Sequence, residues 1–189
     1  HNKKLRAALH LLMRLPTLFC AHGGGPMPLM GVDPITKAHL ASLHTQAKAS
    51  LVISAHWDAP TLTVSGSPAP LIFDYYGFPP ETYEYTYAPP GDMALATRVQ
   101  DLLKGFGCEL TERGLDHGSF VPLMLAFPEA DVPVVTLSMH ASHDPELHLN
   151  VGRALAPLRE EGVLILASGM SFHRMAAFGK RDKPVGEDF

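Results

Sequence analysis

Two histidines, His22 and His56, each follow an apolar run directly: LPTLFCA ends at Ala21, and SLVISA ends at Ala55. Imidazole is the commonest metal ligand and titrates near neutrality, so each residue suits both coordination and proton transfer. In open α/β sheets ligands bind just beyond the carboxyl ends of strands. Two strands that each end on a histidine would bring both rings to one edge, where a shared metal follows naturally. The plainer alternative is two imidazoles satisfied by nearby backbone. His117 lies in Leu115-Asp116-His117-Gly118-Ser119, ahead of an apolar segment, in a turn that leads into a helix. There it faces a cleft, or is simply a turn histidine held by Asp116. His140, just after the run Pro133 to Ser138, and His173, just after Leu164 to Gly169, fall near the same edge. His143 and His148 read as solvated loop and helix residues. His1, His10, His39 and His44 lie on the tail or on a helix and suggest no chemistry.

Other chemistries find little support. The glycines at 23–25 let the backbone turn tightly and approach a ligand, but neither a Walker lysine nor a dinucleotide fingerprint follows. No GxSxG elbow is present, and Ser54, Ser119 and Ser138 lack a nucleophile's context. Cys20 sits inside an apolar strand and reads as a buried thiol. Cys20 and Cys108 have no CxxC spacing, which argues against a disulfide framework and a thiolate zinc site, and for a reducing, cytoplasmic setting.

The elements that would position these residues alternate short β-rich runs with helical patterns, the rhythm of a mostly parallel or mixed sheet flanked by helices. Strands are predicted at Leu15 to Ala21, Ser50 to Ala55, Thr61 to Ser65, Pro133 to Ser138 and Val163 to Ala167. Three are nearly uninterrupted apolar runs, as strands buried on both faces should be. Helices are predicted at Pro34 to Ala49, Met93 to Phe106 and Pro145 to Glu160. Asp92 and Asp144 are candidate caps, and Pro157 should shorten the third helix. The stretch from Ser67 to Gly91 fits neither template. A long irregular connection rich in proline and aromatics is either a binding loop or a surface excursion pinned by its tyrosines.

At 189 residues the chain has the size of one domain. Its 15 Lys+Arg against 19 Asp+Glu leave no electrostatic footprint for nucleic acid or anionic membrane, so a small-molecule partner fits better. No apolar run approaches the roughly 18 residues that a bilayer crossing needs. Residues 1–14 form a basic, amphipathic N-terminal extension. Met13 is one candidate for the natural start, and the remnant of an organelle transit peptide is the other reading.

Five motifs in order carry a family resemblance: His-Gly-Gly-Gly-Pro at 22–26, Ser-Ala-His-Trp at 54–57, Tyr-Tyr-Gly-Phe-Pro at 75–79, Leu-Asp-His-Gly-Ser-Phe-Val-Pro-Leu at 115–123, and Leu-Ala-Ser-Gly followed by His173. Together they resemble the DOPA-type class III extradiol ring-opening dioxygenases of the LigB superfamily. The resemblance implies an α/β catalytic domain over 15–189, with its metal site at the C-terminal ends of strands. His22 and His56 would be metal ligands, and His117 and His173 acid/base or substrate-positioning residues. In zinc-bound relatives the counterpart of His173 also approaches the metal, so His173 stands as a possible third ligand. Family members continue beyond the point where this chain stops, and a further ligand comes from that part.

The expected reaction is metal-dependent extradiol cleavage of a catechol with O2. Fe(II) is expected for activity, because a non-haem iron site leaves open positions for substrate and dioxygen. Zn(II) could occupy the same site but has no redox chemistry. Tyr75 and Phe78 are expected to contact the aromatic substrate. The partners are the catechol and O2, with no nucleic acid and no membrane, and a homo-oligomer is compatible with the sequence. Two alternatives stay open: a zinc-dependent hydrolase on the same histidines, and a non-catalytic binding protein of the same fold.

Overall fold

The computed structural model describes residues 14–171, apart from 44, 68 and 69. Apolar runs that cannot face water on either side build the centre. β1 (Thr17–Ala21), β2 (Ala49–Ala59), β5 (Val134–His140) and β6 (Val163–Gly169) are joined in parallel, and β3 (Thr63–Ser65) and β4 (Glu109–Thr111) extend one edge. The strand order is β1-β6-β2-β5-β3-β4, with β3 antiparallel to β5, so the sheet is mixed.

Alternation along the strands sends successive side chains to opposite faces. Leu51, Val135, Leu137, Val163 and Ile165 form one core with Leu95 and Val99 of α3 (Met93–Leu102) and Val151 and Leu155 of α5 (Pro145–Leu155). Val52, Val134, Leu164 and Leu166 form the other with Leu40 of α2 (Pro34–Ala41) and Phe120 and Leu123 of α4 (His117–Ala126). Each fully buried Leu or Ile is worth roughly 1.5–3 kcal/mol, so two such layers hold the sheet between them. Asp92 and Asp144 cap α3 and α5 as expected, accepting from Leu95 N at 2.8 Å and Glu146 N at 2.9 Å.

The structure departs from the sequence reading at several boundaries. α2 stops at Ala41 instead of Ala49, because Ala49 and Ser50 already pair with Val163 and Val134, and Lys48 N–H donates to the Gly162 carbonyl. α3 gives way to a 3₁₀ turn at Lys104–Phe106, and α5 to another at Ala156–Arg159, where Pro157 removes a helical donor. β2 runs past His56 to Ala59, with its register against β5 slipping between Ile53 and Asp58. β4 and the short α1 (Met27–Met30) have too little periodicity to show in the sequence. Among the described residues no helix is long and apolar enough to cross a membrane.

The aromatic connection before α3 is packed down by its own side chains. The Tyr87 hydroxyl donates to the Phe127 carbonyl at 3.0 Å, with the Leu123 carbonyl of α4 3.4 Å away, and Ile72 N–H donates to the Leu115 carbonyl just before that helix. The loop is thereby tied both to the far end of α4 and to the segment that leads into its first residue, His117.

Candidate metal centre

Three histidines meet at the C-terminal edge of the sheet. His22 follows β1, whose last residue, Ala21, pairs with Gly169 of β6. His56 lies in the irregular part of β2, where a bulge re-aims side chains. Its N–H donates to Ser54 Oγ at 3.1 Å, and the Ser54 hydroxyl donates to Asp116 Oδ1 at 2.7 Å. His117 is the first residue of α4, capped by Asp116. One ligand atom from each ring lies within 4.8 Å of the others. Ring centroids stand 5.0 Å apart for His22 and His56, 5.1 Å for His22 and His117, and 4.0 Å for His56 and His117. His22 and His117 are buried, while the His56 side chain is 27% exposed and gives the cluster its opening to solvent.

Gly118 makes this convergence possible. A Cβ there would stand 3.0 Å from His56 Cδ2 and 3.2 Å from His22 Cε1, and closer still to Ser54 Oγ. Any larger residue would push the rings apart.

Oxygen atoms hold the backs of the rings. His22 Nδ1 is 2.8 Å from Ser168 Oγ, and the Ser168 hydroxyl donates to the Gly118 carbonyl. Asp74 Oδ1 accepts from His117 Nδ1 at 2.8 Å and from His117 N–H at 3.0 Å, and Asp74 Oδ2 lies 3.5 Å from His56 Nδ1. A carboxylate only accepts, so His117 carries its proton on Nδ1 and turns the Nε2 lone pair forward. Burial opposes ionisation of Asp74, but the hydrogen bonds from His117 prevail and bring its pKa down to about 2.

Such a set fits a metal ion. Two nitrogens bound about 2.1 Å from one ion at tetrahedral or octahedral angles stand roughly 3.0–3.4 Å apart. His22 Nε2 and His56 Nε2 are 3.1 Å apart. An oxygen acceptor behind a ligating imidazole is the usual arrangement in metal sites, most often a carboxylate, a backbone carbonyl or water, and an all-imidazole front suits zinc, iron, copper or nickel.

The structure thus gathers His22, His56 and His117 in one place. His117 shares the convergence point itself, a closer placement than an acid/base residue beside the metal requires. His173 lies outside the described residues. His140 does not join: its Nδ1 is 2.8 Å from Ser142 Oγ. His148 is not simply solvated, since its Nε2 accepts from His140 N–H at 3.1 Å and its Nδ1 donates to the Asp144 carbonyl at 2.7 Å. Asp116 does not hold the His117 ring. Buried, it bonds Ser54, Ser119 and Arg113, and the Arg113 guanidinium lies 4.7 Å over the Trp57 ring. Asp74 and Ser168 escaped the sequence reading. An acidic residue inside the aromatic run Ile72-Phe73-Asp74-Tyr75 was the signal available for the first, and membership of the Leu-Ala-Ser-Gly motif, with no role attached to the serine, was the signal for the second.

Tyr75 is buried with its ring centroid 5.8 Å from His117, but its hydroxyl turns back into the loop and donates to the Thr82 carbonyl at 2.5 Å. Phe78 packs on Tyr75 at 5.5 Å. It also closes over Gly25, where φ is +53° and a Cβ would meet the Phe78 ring at 3.0 Å. The aromatic loop therefore sits directly on the glycine turn that follows His22.

Residues 31–189 match the family model described as the catalytic LigB subunit of aromatic ring-opening dioxygenase. The chain belongs to the LigB family. Similar proteins include "Dioxygenase tasH" of Hapsidospora irregularis, 43% identical over 86% of this chain and 56% of that one. Proteins named "4,5-DOPA dioxygenase extradiol" are 44% identical in Beta vulgaris, over 83% of this chain and 62% of that one, and 36% identical in Escherichia coli K12, over 86% and 61%. A crystal structure of the uncharacterized protein JW3007 from Escherichia coli K12 superposes with a TM-score of 0.70 at 29% identity, over 90% of this chain and 66% of that one. This LigB chain spans 56 to 62% of the length of the three named relatives.

Proposed function

We propose that the protein cleaves a catechol ring in the extradiol manner with O2, using Fe(II) held by His22 and His56. The observation that carries this reading is the convergence of three buttressed imidazoles at one sheet edge in a LigB-family chain. Bound Fe(II) would supply open coordination positions and redox chemistry for O2. His173 remains a candidate third ligand or second acid/base.

The protein's own groups do the rest. His117 Nε2 is the atom placed to take a proton from a catechol hydroxyl and return it later. The Asp74 carboxylate on His117 Nδ1 holds the ring in the tautomer this needs and stabilises the imidazolium that forms. The Tyr75 ring stands beside that imidazole and Phe78 packs on Tyr75, an aromatic surround that suits an aromatic substrate. The Tyr75 hydroxyl stays engaged with Thr82, so its contribution is shape rather than hydrogen bonding to the diol.

The test is anaerobic loading of the full chain with Fe(II), followed by O2 and a panel of DOPA, caffeate and protocatechuate. Stoichiometric O2 uptake with a yellow ring-opened product is expected with Fe(II) and none with Zn(II). Amide or ester turnover by the zinc-loaded protein without O2 would instead establish the hydrolase.

A further inference from the structure

The hydrogen bonds behind His22 run in one direction, and a proline inside α4 sets that direction. α4 contains Pro122, which has no N–H to give to the Gly118 carbonyl one turn earlier. That buried carbonyl therefore needs a donor from elsewhere. The Ser168 hydroxyl of β6 supplies it. A hydroxyl carries a single hydrogen, so once Ser168 donates to Gly118 its oxygen can only accept from His22 Nδ1, 2.8 Å away. The imidazole proton is then on Nδ1, and the Nε2 lone pair points toward His56 Nε2 at 3.1 Å. Cys20 also meets Ser168, but a thiol is a weak partner and does not compete with a carbonyl for the hydroxyl proton.

We propose that Ser168 is a positioning residue: through Pro122 and the orphaned Gly118 carbonyl it locks His22 in the Nδ1–H tautomer and so presets the Nε2 lone pair for the metal. The inference rests on the reading of His22 as a ligand. It makes metal affinity depend on a proline whose own ring takes no part in the site.

Two readouts on the full chain test it. Long-range ¹H–¹⁵N spectra of histidine-labelled protein report which ring nitrogen bears the proton, with and without zinc. Competition with a chromophoric chelator gives the Zn(II) affinity. His22 is expected to show Nδ1–H already without zinc. Ser168→Ala should lose that preference and weaken Zn(II) binding about 10- to 100-fold, the usual cost of removing a partner behind a ligating histidine. Ser168→Thr, which keeps the hydroxyl, should stay within about threefold of the unmutated chain. An Nε2–H tautomer in the unmutated, zinc-free protein would overturn the proposal. So would unchanged affinity in Ser168→Ala, or equal losses in Ser168→Ala and Ser168→Thr. If the unmutated chain takes up no zinc, the ligand reading fails on its own, and the zinc-free spectrum still decides the tautomer.

Discussion

The three clustered histidines divide by what stands behind them. Ser168 backs His22, and Asp74 serves His117 through two hydrogen bonds while facing His56 across 3.5 Å. His117 is thus the ring with the stronger anionic support, as the proton-transfer role proposed for it requires. His117→Ala is expected to retain Fe(II) and bind catechol yet turn over about 10²- to 10⁴-fold more slowly, the usual worth of acid/base help. Metal analysis beside single-turnover rates checks this, and loss of the metal would make His117 a ligand instead. The positions of His22 and His117 were legible in the sequence, because an apolar run followed by a histidine and a capped turn are both local patterns. Asp74 and Ser168 were not, because their partners come from 43 and 146 residues away and only tertiary packing joins them.

At the scale of elements, the site depends on irregularities in otherwise regular pieces. The slip in β2 aims His56, and Pro122 in α4 frees the Gly118 carbonyl. A proline inside a helix costs about 3 kcal/mol. Pro122→Ala is therefore expected to raise stability, by up to that amount, while lowering Zn(II) affinity, since a new helical N–H competes with Ser168 for the Gly118 carbonyl. Thermal melts and chelator competition read the two effects separately, and a variant that gains stability with no loss of affinity would count against the arrangement. The aromatic loop makes a different demand. Phe78 closes over Gly25 beside His22, so Phe78→Ala should alter the ratio of turnover among catechols more than it alters metal content. Equal loss for every substrate would mark the loop as structural. Its aromatic composition was plain from the sequence, but its direction was not: the Tyr75 hydroxyl serves Thr82, a contact set by the 3₁₀ turn at Pro80–Tyr83 that no periodicity announces.

For the whole molecule, the alternation of apolar strands and amphipathic helices sufficed to give a mixed sheet between two helical layers. It could not give the strand order, in which β6 inserts between β1 and β2 and so carries Ser168 to His22. Burial in these layers also sets an alkaline limit. It pushes the Cys108 thiol from its ordinary 9.0 up to about 11. It likewise moves the Tyr75 hydroxyl from 10.0 up to about 12. The unfolded chain ionises these groups first, so the stability they contribute is complete below about pH 9 and is lost as pH rises toward 11 and 12. The buried Cys108 thiol alone is worth on the order of 1–3 kcal/mol. The melting temperature should fall steadily above pH 9, and a flat profile to pH 11 would contradict the burial described for them.

All of this turns on one ion shared by His22 and His56. The most direct measurement is metal content after anaerobic incubation with Fe(II) and removal of the excess, on the full chain and on His22→Ala and His56→Ala. One iron per unmutated chain is expected, with essentially none in either variant while both keep the circular dichroism of the folded protein. Full iron in either folded variant, or no iron in the unmutated chain, would contradict the shared site.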